Sequence, residues 1–417
     1  MRGMKQEDRA PDISTQIVHH RYQPPADFAA PQPGVFKAST VIFPNVAAMR
    51  SREWKDKTGY TYGLHGTPTT FTLEERLCTL EGGHECVLVP SGLAAIASVN
   101  LALLKTGDEV LIPDNAYGPG KDFAAVELAR YGISHAFYDP LDPEDLARRI
   151  SASTRLVWLE APGSVTMEFP DLCEQVRICR ARGVAMALDN TWGAGLAFAP
   201  FDLLGDGSLG VDISAHALTK YPSGGGDVLM GSVMTRSAAL HMKIKLTHMR
   251  LGLGVGLNDV EAVLRSLPSV ALRYAAHDRS ARELATWLQS QPAIAQVLHP
   301  ALPGSHGHAH WQALCGGAQA GQGAAAGLFS VMVDARYSQA QVDAFCDALQ
   351  LFKLGYSWGG PMSLVVPYHL RSMRERGTPH LQPGTLVRFA IGLEAAEDLR
   401  QDLLQALAVM ERTAHAG

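Results

Sequence analysis

Cys86-Val87-Leu88-Val89, followed at once by Pro90-Ser91-Gly92-Leu93-Ala94-Ala95, is the stretch on which the fold turns. Four apolar residues without alternation read as a strand buried on both faces. Ser91 reads as a helix N-cap, and the apolar run behind it predicts a helix to about Leu104. The strand-then-helix order repeats downstream. Glu109 to Pro113 is a strand, followed by a loop and a helix over Lys121 to Tyr131. His135 to Tyr138, Leu156 to Glu160 and Ala185 to Asp189 are further apolar strands. Between the last two, a helix over Asp171 to Arg182 stops at Gly183. Such units predict an α/β fold with a mostly parallel central sheet and flanking helices.

Outward from this block the pattern changes. Residues 1–66 are Pro-rich and aperiodic and read as an N-terminal arm. Residues 67–268 hold the strand–helix alternation. Residues 269–417 read as a smaller C-terminal α+β domain: a helix through Arg273 to Leu288, strands near Leu328 to Val333 and Leu386 to Ile391, and a closing amphipathic helix over Ala396 to Met410. Gly316 to Gly327, rich in Gly, Ala and Gln, reads as a flexible surface loop.

Composition narrows the class. With 47% hydrophobic and 18% charged residues among 417, the chain can build a core and is not disordered. A net charge of -5 gives no footprint for nucleic acid or an anionic membrane. The apolar run Leu93 to Leu104 is interrupted by Ser98 and Asn100 and is too short to span a bilayer. Met1 to Ala10 lacks the apolar centre of a signal peptide. Six cysteines without a C-x-x-C pair predict reduced thiols, and the expected location is cytoplasmic.

In an open parallel sheet, ligands bind beyond the carboxyl ends of the strands. After the first strand, Ser91-Gly92-Leu93 offers helix N-terminal N–H groups suited to a phosphate. After the second, Tyr117 can stack on a planar ring. Asp189 ends an apolar strand, where a carboxylate needs a cationic partner such as a protonated ring nitrogen. Thr219-Lys220-Tyr221, ahead of Gly224-Gly225-Gly226, places a lysine where a depressed pKa permits Schiff-base chemistry. Phosphate cradle, stacking ring, ring-nitrogen partner and lysine together fit pyridoxal 5'-phosphate.

At these residues the chain resembles the Cys/Met-metabolism family of fold-type I pyridoxal-phosphate enzymes. Further stretches carry the resemblance: Tyr60-Thr61-Tyr62-Gly63-Leu64-His65-Gly66, Glu160-Ala161-Pro162-Gly163-Ser164, Tyr356-Ser357-Trp358-Gly359-Gly360 and Arg388-Phe389-Ala390-Ile391-Gly392. The resemblance implies the fold-type I transferase architecture and a role for each matched position. Lys220 holds the cofactor and moves the proton, with Tyr117 as a second catalytic group. Asp189 meets the pyridinium, Tyr117 stacks on the ring, and Gly92, Leu93 and Thr219 donate to the phosphate. Arg388 grips the substrate α-carboxylate, beside Ser357, Tyr356 and Trp358. Tyr62 reaches into a neighbouring subunit, which implies a homodimer within a homotetramer and shared active sites.

Three places in the chain depart from the family pattern. Leu64 stands where an arginine is common, Ala217 where a serine is common, and Gly224-Gly225-Gly226-Asp227 where G-H-S-D is common. These departures predict a phosphate held more by backbone than by side chains.

The expected reaction is β-elimination of an amino-acid substrate, L-cystathionine, to homocysteine, pyruvate and ammonia. The γ-cleaving relatives often carry a glutamate before the matched serine, whereas this chain has Tyr356 and Trp358 there. Other readings are cysteine or cysteine-S-conjugate β-lyase, cystathionine γ-lyase or γ-synthase, and a regulatory protein retaining the lyase fold. His299, His306, His308 and His310 lack a metal-ligand spacing, and no metal is expected. Trp192 reads equally as pocket lining or packing.

Overall fold

Strands that are apolar at nearly every position build the larger sheet. The computed structural model describes residues 32–54, 57–316 and 323–414. The chain divides at Gly34, and the unit from Val35 onward carries every element below. Its first seven strands are β1 (Glu85–Val89), β2 (Glu109–Pro113), β3 (Ser134–Tyr138), β4 (Thr154–Glu160), β5 (Ala185–Asp189), β6 (Ile213–His216) and β7 (Gly231–Thr235). They lie in the order β1-β7-β6-β5-β4-β2-β3. Only β7 runs antiparallel to its neighbours; β6, β5, β4, β2 and β3 are mutually parallel. Parallel strands need crossovers, and covering helices bury both faces. The expected mostly parallel α/β sheet is therefore present.

Register fixes the site. Glu160 pairs with Asp189 across β4 and β5, and Asp189 pairs with Ala215 on β6. The carboxyl ends of three parallel strands thus stop level, with Ala217 to Lys220 emerging directly beyond β6. Helix Gly92–Leu103 starts behind Ser91, whose hydroxyl accepts the Ala94 N–H at 3.0 Å. Asp171 caps helix Leu172–Arg182, and Gly183 ends it at φ 63°.

Two local expectations are corrected. The helix predicted over Lys121 to Tyr131 begins earlier, at Gly118, and continues as a π-helical segment, Phe123–Leu128. Gly118-Pro119-Gly120 reads as a loop in sequence, yet proline fits a first helical turn because its missing N–H would be unpaired there. The Gly/Ala-rich segment is not wholly a surface loop either. Residues 317–322 lie outside the described ones, but Ala325 and Ala326 are fully buried, and the Ala325 N–H donates to Asp278 Oδ2 at 2.8 Å.

The second sheet has β8 (Ile294–Leu298), β9 (Leu328–Asp334), β10 (Lys353–Leu354), β11 (Leu364–Tyr368) and β12 (Gly384–Ala390), ordered β10-β11-β12-β9-β8. Helices Val270–Leu288 and Ala396–Ala414 bury Leu284, Leu288, Leu399 and Leu403 against Phe329 and Phe389 of this sheet. Among the described residues, no helix is long and apolar enough to cross a membrane.

Candidate active site

The level strand ends open into a cleft of about 450 Å³. At its floor Asp189 and Glu160 stand side by side. Thr191 donates its backbone N–H and its hydroxyl to Asp189 Oδ1, at 3.0 and 2.6 Å. Enclosure still pushes the Asp189 carboxyl above its ordinary value, with Thr191 opposing. Glu160 accepts the Tyr117 N–H at 2.9 Å. Burial, and then the Asp189 charge, push its carboxyl well up.

Lys220 projects from the segment beyond β6. Its Nζ donates to Ser357 Oγ at 3.0 Å and lies 5.5 Å from the centre of the Trp358 ring. Burial, then the Arg388 charge, lower its pKa to about 8, against the pull of Asp189. Arg388, on β12, is 6% exposed, and its Nε and one terminal nitrogen have no protein partner. Its guanidinium lies 5.4 Å from the Tyr368 ring centre. A buried cation with two unpaired donors pointing into a cleft calls for an anion.

At the other end of the cleft are Gly92 and Leu93, in the first helical turn. Ser91 takes up the Ala94 and Ala95 N–H groups, which leaves the two preceding donors without an intrahelical partner. A Cβ on Gly92 would come within 2.6 Å of the Ala217 side chain, so the backbone approach requires glycine. Thr219 Oγ1 donates to the Met230 carbonyl and accepts its N–H, at 3.3 and 3.2 Å. In the loop beyond, Gly224 and Gly226 hold φ values of 65° and 73°, open to glycine without strain.

The remaining wall is the loop after β4. Val165 and Met167 line the cleft with φ of 72° and 60°, a strained region for side chains of this kind. A polar cluster holds them there. Glu168 accepts from Asn115 at 3.1 Å, from Thr166 at 2.6 Å and from Arg374 at 3.1 Å, and pairs with His380 at 2.9 Å. Burial opposes ionisation of Glu168, but His380 and Arg374 hold its pKa down to about 2.

Gly92, Leu93, Tyr117, Asp189, Thr219, Lys220, Tyr356, Trp358 and Arg388 all line this cleft, with Ser357 joined through Lys220. Trp192 both lines it and packs, being 6% exposed. Tyr62 stands elsewhere: it is 47% exposed and borders a separate cleft of about 210 Å³ with Leu64, His65 and Lys245. The sequence reading assigned no role to Glu160, Thr191, Tyr368 or Met373, which also line the site. For Glu160 the signal was present, since it ends an apolar strand as Asp189 does. Among the described residues, no three His, Cys, Asp or Glu side chains group as metal ligands. His306 and His308 pair locally, with the His380 and Pro300 carbonyls at 3.0 and 2.9 Å.

The site fits a flat, cationic ring bearing a phosphate. The glycine approach at Gly92 leaves room for an anion at a helix start, and Asp189 waits at the end of β5 for a positive partner.

Residues 14–408 match the family described as Cys/Met metabolism PLP-dependent enzyme. A putative cystathionine beta-lyase of Rhizobium johnstonii is 38% identical over 94% of this chain and 94% of that protein. Cystathionine beta-lyase MetC of Escherichia coli is 34% identical over 94% and 97%. A crystal structure of cystathionine gamma synthase from Xanthomonas oryzae pv. oryzae, in complex with aminoacrylate and cysteine, superposes with a TM-score of 0.80 at 29% identity. It covers 93% of this chain and 96% of that one.

Proposed function

The chain belongs to the Cys/Met metabolism PLP-dependent enzymes, and from that premise we propose that it cleaves the Cβ–S bond of L-cystathionine, releasing homocysteine, pyruvate and ammonia. The relatives named cystathionine beta-lyase support the choice of substrate. The observation that carries the choice of bond is the pair Tyr356 and Trp358, which line the cleft beside Lys220. Cleavage at Cγ requires a second proton removal, at Cβ, and its relatives favour a carboxylate in this stretch. Among the described residues, the carboxylates lining the cleft are Asp189 and Glu160, at the strand ends.

Lys220, Asp189, Tyr117, Thr219 and the Gly92 and Leu93 N–H groups would hold the cofactor. When bound, pyridoxal phosphate supplies the electron sink for charge that develops at the substrate Cα. Asp189 holds a proton on its partner nitrogen. Arg388 takes the α-carboxylate with the two donors that lack protein partners. Lys220 Nζ, with its pKa near 8, removes the α-proton and is placed to return a proton to the departing sulfur. The sulfur leaves with the Cβ–S electron pair, and hydrolysis of the three-carbon remainder gives pyruvate and ammonia.

Leu64, at the position where the family commonly has arginine, borders the separate cleft with Tyr62 and fits a phosphate held more by backbone than by side chains. The exposed Ile42, Tyr60 and Tyr62 support a homodimer, assembled further as a homotetramer, in which Tyr62 reaches a neighbour's site. The test is product analysis. L-cystathionine should give pyruvate with homocysteine; 2-oxobutyrate with cysteine would overturn the reading.

A further inference from the structure

We propose that Glu160 is a positioning residue of this site, fixing the Tyr117 loop against the Asp189 carboxyl. The inference rests on the cofactor reading above, which gives Glu160 no part in holding the cofactor or moving a proton.

Two geometric facts carry it. Glu160 and Asp189 are register partners at the ends of neighbouring parallel strands, and both line the cleft. Strands lie about 4.8 Å apart, so the two carboxyl groups rise side by side. Glu160 Oε2 also accepts the Tyr117 N–H at 2.9 Å, across 43 positions of sequence. Tyr117 precedes the short helix Gly118–Asp122 without a side-chain cap of its own. The bond from β4 therefore sets where the Tyr117 loop sits over the sheet end.

The chemistry follows from crowding. Two carboxylates this close do not ionise together at low cost. Asp189 has the Thr191 hydroxyl and N–H and faces Lys220. Glu160 has the Tyr117 N–H, with a further pull from the Ser164 backbone, and feels Arg374, which is itself engaged by Glu168. Burial raises both carboxyls, but at Asp189 the two Thr191 hydrogen bonds oppose the rise, whereas at Glu160 the Asp189 charge adds to it, so of the two Glu160 is the one driven further toward its neutral form. In its neutral form Glu160 still offers the carbonyl oxygen that the Tyr117 N–H needs, and it leaves Asp189 to face a ring nitrogen.

The test compares wild type, Glu160→Gln and Glu160→Ala as full-length protein stripped of cofactor. Pyridoxal phosphate is titrated in, and binding is read from the visible chromophore and the quenching of protein fluorescence; circular dichroism gives each melting temperature. Glutamine is neutral and keeps the acceptor, so its Kd should stay within about threefold of wild type, whereas alanine should raise Kd about tenfold or more. Alanine binding as tightly as wild type would overturn the proposal, and so would glutamine binding as weakly as alanine. If alanine lowers the melting temperature, glutamine alone decides, with a tenfold loss counting against. Failure of wild type to bind at all would sink the cofactor reading itself, and the proposal with it.

Discussion

Lys220 Nζ donates to Ser357 Oγ at 3.0 Å, joining positions 137 residues apart. One partner extends from the end of the larger sheet, and the other lies in the loop ahead of β11 in the smaller one. The amine is therefore oriented by the second lobe, not by its own. Ser357→Ala should leave cofactor Kd within about threefold and lower kcat about tenfold, since one oriented hydrogen bond is lost. Equal losses in Kd and kcat would show that Ser357 supports the fold instead.

Arg388 sets both charge and binding. It is the second cause, after burial, of the Lys220 shift to about 8. Capture of pyridoxal phosphate by the stripped protein requires the neutral amine. Its rate should rise as pH climbs through about 8 and then level. In Arg388→Gln the positive neighbour is gone, so the amine holds its proton to higher pH and the midpoint should move upward. Stopped-flow absorbance across pH checks both the midpoint and the direction of its shift.

The same arginine has two buried donors without a protein partner. Charge-assisted pairing with a carboxylate contributes about 1.5–3 kcal/mol, so Arg388→Ala should raise KM about ten- to a hundredfold. Steady-state kinetics on cystathionine would show this as a KM effect larger than any kcat effect.

Glu168 gives a pH-dependent stability. Its folded pKa of about 2 lies below the ordinary carboxylate value of 4.5, so its contribution is present above about pH 4.5 and disappears as pH falls towards 2. The shift corresponds to about 3 kcal/mol. Glu168→Gln should be less stable than wild type at pH 7, and the difference should shrink steadily between pH 4.5 and 2. Denaturant melts over that range measure it.

The runs at Cys86 to Val89 and Ala185 to Asp189 were legible because strands buried on both faces show no alternation. Strands β6 and β7 were not. Ser214 and His216 look too polar for a central strand, and only the fold brings Glu81 to them, at 2.5 and 2.8 Å from 133 and 135 positions away. The site divides the same way. Lys220 and Asp189 were readable as residue types in characteristic settings, and Arg388 came only with the family resemblance. The Glu160–Tyr117 bond and the Arg374–Glu168 ion pair join residues 43 and 206 positions apart, and no local pattern encodes them.

Borohydride trapping is the most direct check on Lys220 as the cofactor-bearing residue. The purified protein, loaded with pyridoxal phosphate, is reduced, digested and mapped by mass spectrometry. The reduced cofactor should be found on the peptide containing Lys220, with loss of the visible band, and Lys220→Ala should give neither band nor label. A label on another lysine, or a yellow Lys220→Ala protein that still turns over cystathionine, would contradict it.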